Sequence, residues 1–263
     1  MAVRVNSPGD SGVPDTGTSP PAAIINPTRE AWDEPVSARV ILTFTLPDYR
    51  YLCRLVQPDG PVRYIYNCAV REGSWEGRPI TLTAPALGAP YAVMVLEKLL
   101  VLGARMVLAL GWCGSLQSGL SIGDLVLPTA TISTEGTSGH YPLDGPPDPD
   151  PGLSGILRRL LSISDHRWQE GAVWSTDGFY RETVPQVTAY QAQGVLGVDM
   201  EMAALFTVGR FRQTPVAGLL VVSDELDTLQ WRPGYRSEPF RRARDRAARL
   251  ILAAATEWES GHV

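Results

Sequence analysis

The chain has 263 residues, 44% of them hydrophobic and 19% charged, which suits a soluble globular protein of one large domain or two small ones. A net charge of −5 argues against a nucleic-acid partner. Cys53, Cys68 and Cys113 show no metal-binding spacing, and His140, His166 and His262 are scattered, so neither a disulfide framework nor a metal centre is expected. No apolar run reaches the length of a membrane span, and the N-terminus has no basic-then-apolar leader. The expectation is a cytoplasmic enzyme with no membrane partner.

Residues 1–37 are rich in Pro, Gly, Ser, Thr and Asp and lack hydrophobic periodicity. They read as a mobile tail or a surface-draped arm, with the folded domain over 38–263. That domain opens on ARVILTFTL, a β-branched apolar run that predicts a buried strand. YRYLCRLV follows with helical spacing. RPITLTAPALG predicts a strand ending at Gly88, and APYAVMVLEKLLVLG a helix stopped by Gly103. RMVLALG predicts a strand buried on both faces. It breaks at Gly111-Trp112-Cys113-Gly114, which reads as a glycine-flanked turn whose backbone N–H groups could cradle an anion. GDLVLPTAT is a further strand, TSGHYPLDGPPDPDPG a long polar loop, and GLSGILRRLLSIS a helix. EGAVWSTDGF runs from strand to loop, VDMEMAALFTVGRF reads as an apolar helix, and PVAGLLVVSDE as a central strand. EPFRRARDRAARLILAAATEW closes the chain as a helix with one charged face. Alternating strands and helices, with several continuously apolar strands, predict a single α/β domain: a central mixed twisted sheet flanked by helices.

Three stretches carry chemistry: LALGWCGSLQSGLSIGDLVLPTA, STDGFYRETVPQVTAYQAQGVLGVDMEMAALFTVG and GLLVVSDELD. In order and spacing they resemble the nucleoside phosphorylase superfamily. That group joins the smaller-subunit purine nucleoside and uridine phosphorylases with the methylthioadenosine/adenosylhomocysteine nucleosidases. The resemblance covers roughly 38–252 and implies cleavage of an N-glycosidic bond. Such a reaction builds positive charge on the ribose and negative charge on the departing base. It needs a carboxylate on the ribose hydroxyls and an acid near the base.

By that resemblance Glu201, read as an acid inside the apolar helix, takes the ribose 2′- and 3′-hydroxyls, and Met200 packs on the sugar. Asp199 reads as a solvated neighbour. Asp224, at the end of its strand, protonates N7 of a purine. Phe179 stacks on the base, Tyr180 is structural, and Gly88 admits backbone close to the ligand. Cys113 and Gly114 complete the ribose- and base-binding set. Thr183 and Pro185 stand where uridine phosphorylases carry a glutamine and an arginine, which points to a purine.

The same resemblance exposes a departure. The phosphorylases grip phosphate with arginines, and Ala109 stands where one of them is expected. Trp112 replaces a Ser or Thr that touches phosphate. In TFTLPDYRYL only Asp48 and Arg50 remain as stand-ins, and Arg63 or Arg71 fit poorly as the arginine that a neighbouring subunit usually lends. The candidates for an anion or water site are therefore Gly111, Trp112, Asp48 and Arg50. Asp48 falls close to the carboxylate that activates water in the nucleosidases. Phosphorolysis, hydrolysis and a nucleoside-binding module without turnover all stay open. No cofactor is expected. Phosphate is an open co-substrate, a nucleoside the small-molecule partner, and a homo-oligomer the implied assembly.

Overall fold

The computed structural model describes residues 23–259. In chain order it contains β1 (Arg39–Thr43), α1 (Leu46–Val56), β2 (Arg63–Ile65), β3 (Cys68–Trp75), β4 (Arg78–Ala84), α2 (Ala89–Leu102) and β5 (Met106–Ser115). There follow β6 (Leu125–Ser133), α3 (Pro151–Ser162), β7 (Trp168–Ser175), α4 (Val184–Ala192), β8 (Gly197–Asp199), α5 (Met202–Phe211), β9 (Val216–Glu225), β10 (Arg232–Pro233) and α6 (Glu238–Glu257). The strands form one mixed sheet in the order β10-β9-β6-β7-β8-β5-β1-β4-β3-β2, and β9 also pairs with β5. The extra pairing closes β5, β9, β6, β7 and β8 into a ring, with β1, β4, β3 and β2 extending from it. The expected α/β class and mixed, helix-flanked sheet are those of the structure.

The sheet is covered on both faces, which is why its central strands are apolar along their whole length. Successive residues of β5 point to opposite layers. Val107, Ala109 and Cys113 join the core under α2 and α5, while Met106, Leu108, Leu110 and Trp112 face α1, α3 and α6. β9 divides in the same way, with Leu220 and Val222 on the first side and Leu219 and Val221 on the second.

Several expectations are corrected. Gly111-Trp112-Cys113-Gly114 is not a turn: β5 continues to Ser115, paired with β9, with a bulge between Cys113 and Gly114. The two flanking glycines give the stretch the look of a turn, yet each glycine serves packing. A Cβ on Gly111 would lie 2.6 Å from the Phe44 ring, and one on Gly114 would lie 2.5 Å from Leu226. VDMEMAALFTVGRF is not one helix: its first residues form β8, and α5 starts at Met202. α1 starts at Leu46, ahead of the expected helix, because Pro47 fits a first helical turn. The hairpin strands β2 and β3, the helix α4 and the two-residue β10 carry patterns too short or too polar to read as periodic. The polar loop after β6 holds only a single 3-10 turn, Ser138–His140.

The described part of the N-terminal segment lies against the body. Val36 N–H donates to Leu102 O at 3.0 Å, and Lys98 Nζ on α2 donates to Thr28 O at 2.6 Å and to Asp33 at 2.5 Å. Residues 1–22 of the expected tail lie outside the described residues. No described helix is long and apolar enough to cross a membrane.

Candidate active site

Strand C-terminal ends gather chemistry in α/β folds, and here β5, β8 and β9 end around a cavity of about 130 Å3. Trp112, Cys113 and Gly114 form one wall, and Val198 to Glu201 another. Ser223 and Asp224 come from β9, Phe179 and Glu182 from the loop after β7, and Tyr235 from the segment before α6. Phe44, Thr45 and Leu87 close it. Several larger cavities lie elsewhere, among them two of about 660 and 1180 Å3 beside α3 and α5 and beneath the N-terminal segment. Neither is lined by Glu201 or Asp224.

The acid expected inside a helix sits instead at its boundary. Glu201 is the residue preceding α5, and it is 3% exposed. Its Oε1 accepts from Gly88 N–H at 2.6 Å. Gly88 itself precedes α2 with φ +86°, so the close approach expected of its backbone is made to Glu201. Asp199 is corrected from solvated to buried. Its Oδ2 accepts from the N–H groups of Glu201 and Met202 at 2.9 and 2.7 Å, and its Oδ1 from Ser175 Oγ at 2.5 Å. Ser175 Oγ in turn accepts from Ala203 N–H at 3.0 Å. Together Asp199 and Ser175 cap the positive end of α5.

That difference in bonding splits the two acids. Burial, then the Asp199 charge, raises Glu201 to about 8, against the Gly88 and Met200 N–H groups that favour its ionised form. Burial also raises Asp199, but to about 6, because Ser175 and two backbone donors hold its charge. Both carboxyls are thus pushed up by burial, and Asp199 is the one whose charge has the more donors.

Asp224 is 4% exposed at the end of β9. Its carboxylate accepts from Ser223 Oγ at 2.6 Å, Trp231 Nε1 at 2.9 Å and Tyr235 OH at 3.3 Å. A Cβ on Gly114 would lie 3.0 Å from Asp224 Oδ2, so the glycine leaves room for this acid. Phe179 is half-buried and packs edge-on to Trp231, with ring centroids 6.3 Å apart. Tyr180 is corrected from structural to surface, at 92% exposed.

The anion-site candidates scatter. Trp112 lines the cavity but is pinned on the α6 side: its Nε1 donates to Asp48 Oδ2 at 2.7 Å, and its ring meets Phe240 edge-on at 5.0 Å. The Arg244 guanidinium lies 5.4 Å from the same ring and donates to Asp48 Oδ1 at 2.5 Å. Asp48, 2% exposed, also accepts from Thr45 Oγ1 at 2.8 Å. With both oxygens occupied and water excluded, Asp48 is corrected from a water-site candidate to a structural acid. Arg50 is exposed on α1 and does not line the cavity, and Gly111 is buried against Phe44 and Leu220. Arg63 pairs with Glu72, and Arg71 donates to Pro58 and Gly60 carbonyls, both away from the cavity.

Sequence reasoning missed Glu182 and Tyr235. Among the described residues the cavity lining holds four acids, Glu182, Asp199, Glu201 and Asp224, and no Lys or Arg. Burial, then the Asp224 charge, raises the Glu182 carboxyl to about 7. Its position three residues after Phe179 was the available signal.

Residues 39–256 match the family model described as the phosphorylase superfamily. The guanosine phosphorylase of Halorubrum lacusprofundi is 29% identical over 154 residues, 58% of this chain and 64% of that protein. The uridine phosphorylase of Treponema pallidum is 28% identical over 156 residues, 55% of this chain and 60% of that protein. The chain thus spans somewhat under two thirds of the length of these curated relatives. The crystal structure of uridine phosphorylase from Vibrio fischeri ES114 superposes with a TM-score of 0.78 at 26% identity, covering 85% of this chain and 93% of that one. A matched family model over most of the fold, with buried acids converging where β5, β8 and β9 end, places the chain in the phosphorylase superfamily.

Proposed function

We propose that residues 38–263 cleave the N-glycosidic bond of a purine-type nucleoside, and that Glu201 and Asp224 carry the reaction from the lining of one cavity. The observation behind this reading is the convergence of those two buried acids with Phe179 between β-strand ends. Glu201 in its ionised form accepts hydrogen bonds from the ribose 2′- and 3′-hydroxyls, with Met200 against the sugar. Phe179 offers an aromatic face to the base. As the C1′–N9 bond breaks, its electron pair passes to the base, and Asp224, entering the step as the carboxylic acid, delivers its proton to N7 and is left as the carboxylate that Ser223, Trp231 and Tyr235 hold. C1′ then bonds to an oxygen of the acceptor.

Phosphate is the acceptor in the primary reading, in keeping with the phosphorylase names of the relatives. A dianion facing four acids and no described cation needs positive charge from outside this lining, so phosphorolysis implies that a second copy of the chain completes the site. The same lining favours hydrolysis as a second reading, since water is a neutral acceptor.

The full chain incubated with adenosine, inosine, methylthioadenosine and uridine, with and without phosphate, separates these. Base release that needs phosphate supports phosphorolysis. Base and free ribose without phosphate support hydrolysis. Ligand-induced thermal stabilisation with no base release from any of them overturns the catalytic reading in favour of a binding module.

A further inference from the structure

We propose that Glu182 reads the six-position of the bound base and selects 6-aminopurines over 6-oxopurines. This rests on the reading of the cavity as a nucleoside site. Three of its four acids are already engaged: Asp199 caps α5, Glu201 holds Gly88 N–H, and Asp224 accepts from Ser223, Trp231 and Tyr235. Glu182 is the exception. It is half-buried in the lining it shares with Phe179 and Asp224, and no described side chain or backbone group donates to it. A carboxylate in that state accepts hydrogen bonds and, once ionised, has none to give.

The chemistry of a purine edge supplies the match. N7 and the 6-substituent are neighbours on one edge of the ring, so a base with N7 at Asp224 turns its 6-substituent toward the cavity lining that Asp224 shares with Glu182. An exocyclic amine donates to Glu182 and satisfies both groups. A 6-oxo oxygen sets its lone pairs against the carboxylate and leaves both without a partner. Mismatches of this kind discriminate far more strongly than a missing methylene does.

Equilibrium binding of free adenine and free hypoxanthine to the wild-type chain and to Glu182→Gln, by calorimetry at about pH 8.5 where Glu182 is ionised, tests the assignment. The wild type should bind adenine at least about tenfold more tightly than hypoxanthine. Glu182→Gln, whose amide both donates and accepts, should shrink that ratio by about tenfold, and Glu182→Ala should do the same. A wild-type ratio near one, a preference for hypoxanthine, or a ratio unchanged in both variants overturns the proposal. A base-release assay on adenosine is run alongside. Adenine-selective binding that depends on Glu182 without release sinks only the catalytic reading. Release with a ratio indifferent to Glu182 sinks only this inference.

Discussion

The indole of Trp112 donates to Asp48 at 2.7 Å while the Arg244 guanidinium grips the other oxygen of the same carboxylate at 2.5 Å. Trp112 thereby joins β5 to α1, and Arg244 joins α1 to α6. The tryptophan is fixed by an ion pair buried behind it. Removing one partner of a buried pair leaves an uncompensated charge, whereas removing one neutral donor leaves the pair intact. Arg244→Met should therefore cost about 3–5 kcal/mol and Trp112→Phe about 1 kcal/mol, read from denaturant unfolding midpoints. Equal losses in the two variants would contradict the assignment of Asp48 as a paired structural acid.

Glu201 yields a stability prediction with a defined sign. Its carboxyl is raised to about 8 in the folded chain from an ordinary value of 4.5. The folded state therefore binds this proton more tightly than the unfolded state. The associated stability is fully present below the unfolded value and is lost as pH rises through about 8. Glu201→Gln removes that loss and keeps an acceptor for Gly88 N–H. The variant should gain melting temperature over the wild type as pH climbs from acid to alkaline, while losing turnover at every pH. A melting-temperature difference that is flat with pH would show that Glu201 does not titrate as a buried acid.

Asp224→Asn tests the proton donor. A positioned general acid contributes about 10²–10⁴-fold, so turnover should fall by more than about tenfold while nucleoside binding persists. The single amide oxygen still accepts either from Trp231 or from Ser223 and Tyr235, which donate to opposite carboxylate oxygens in the wild type, so a melting-temperature measurement accompanies the assay. Steady-state rates of base release near those of the wild type would remove Asp224 from the chemistry.

Gly114→Ala examines the clearance around that acid. Its new Cβ would lie 2.5 Å from Leu226 Cδ1 and 3.0 Å from Asp224 Oδ2. Displacements on the ångström scale cost up to about 100-fold in rate. The variant should therefore lose at least about tenfold in kcat/KM, beyond what its lowered melting temperature explains. Full activity would mean that the Asp224 carboxylate is free to shift.

The sequence by itself determined the α/β class and the order of the main strands and helices, and singled out Glu201 and Asp224 as candidate site acids. Each of these is written locally: in continuous apolar runs, in glycine stops, and in motifs a few residues long. It could not distinguish a turn from a strand at Gly111-Trp112-Cys113-Gly114, because glycines that admit Phe44 and Leu226 look the same in one dimension as glycines that bend the chain. Nor could it reveal that Asp199 is buried, since its partners come from Ser175 and from the first turn of α5. Only the tertiary structure joined Asp48 on α1 to Trp112 on β5 and Arg244 on α6, positions spread over almost two hundred residues. Only it set Glu182 and Asp224 in the lining of one cavity. Long-range pairing decides which polar groups lose their water, and that loss separates an acid held by donors, such as Asp48, from one pushed toward its neutral form, such as Glu201.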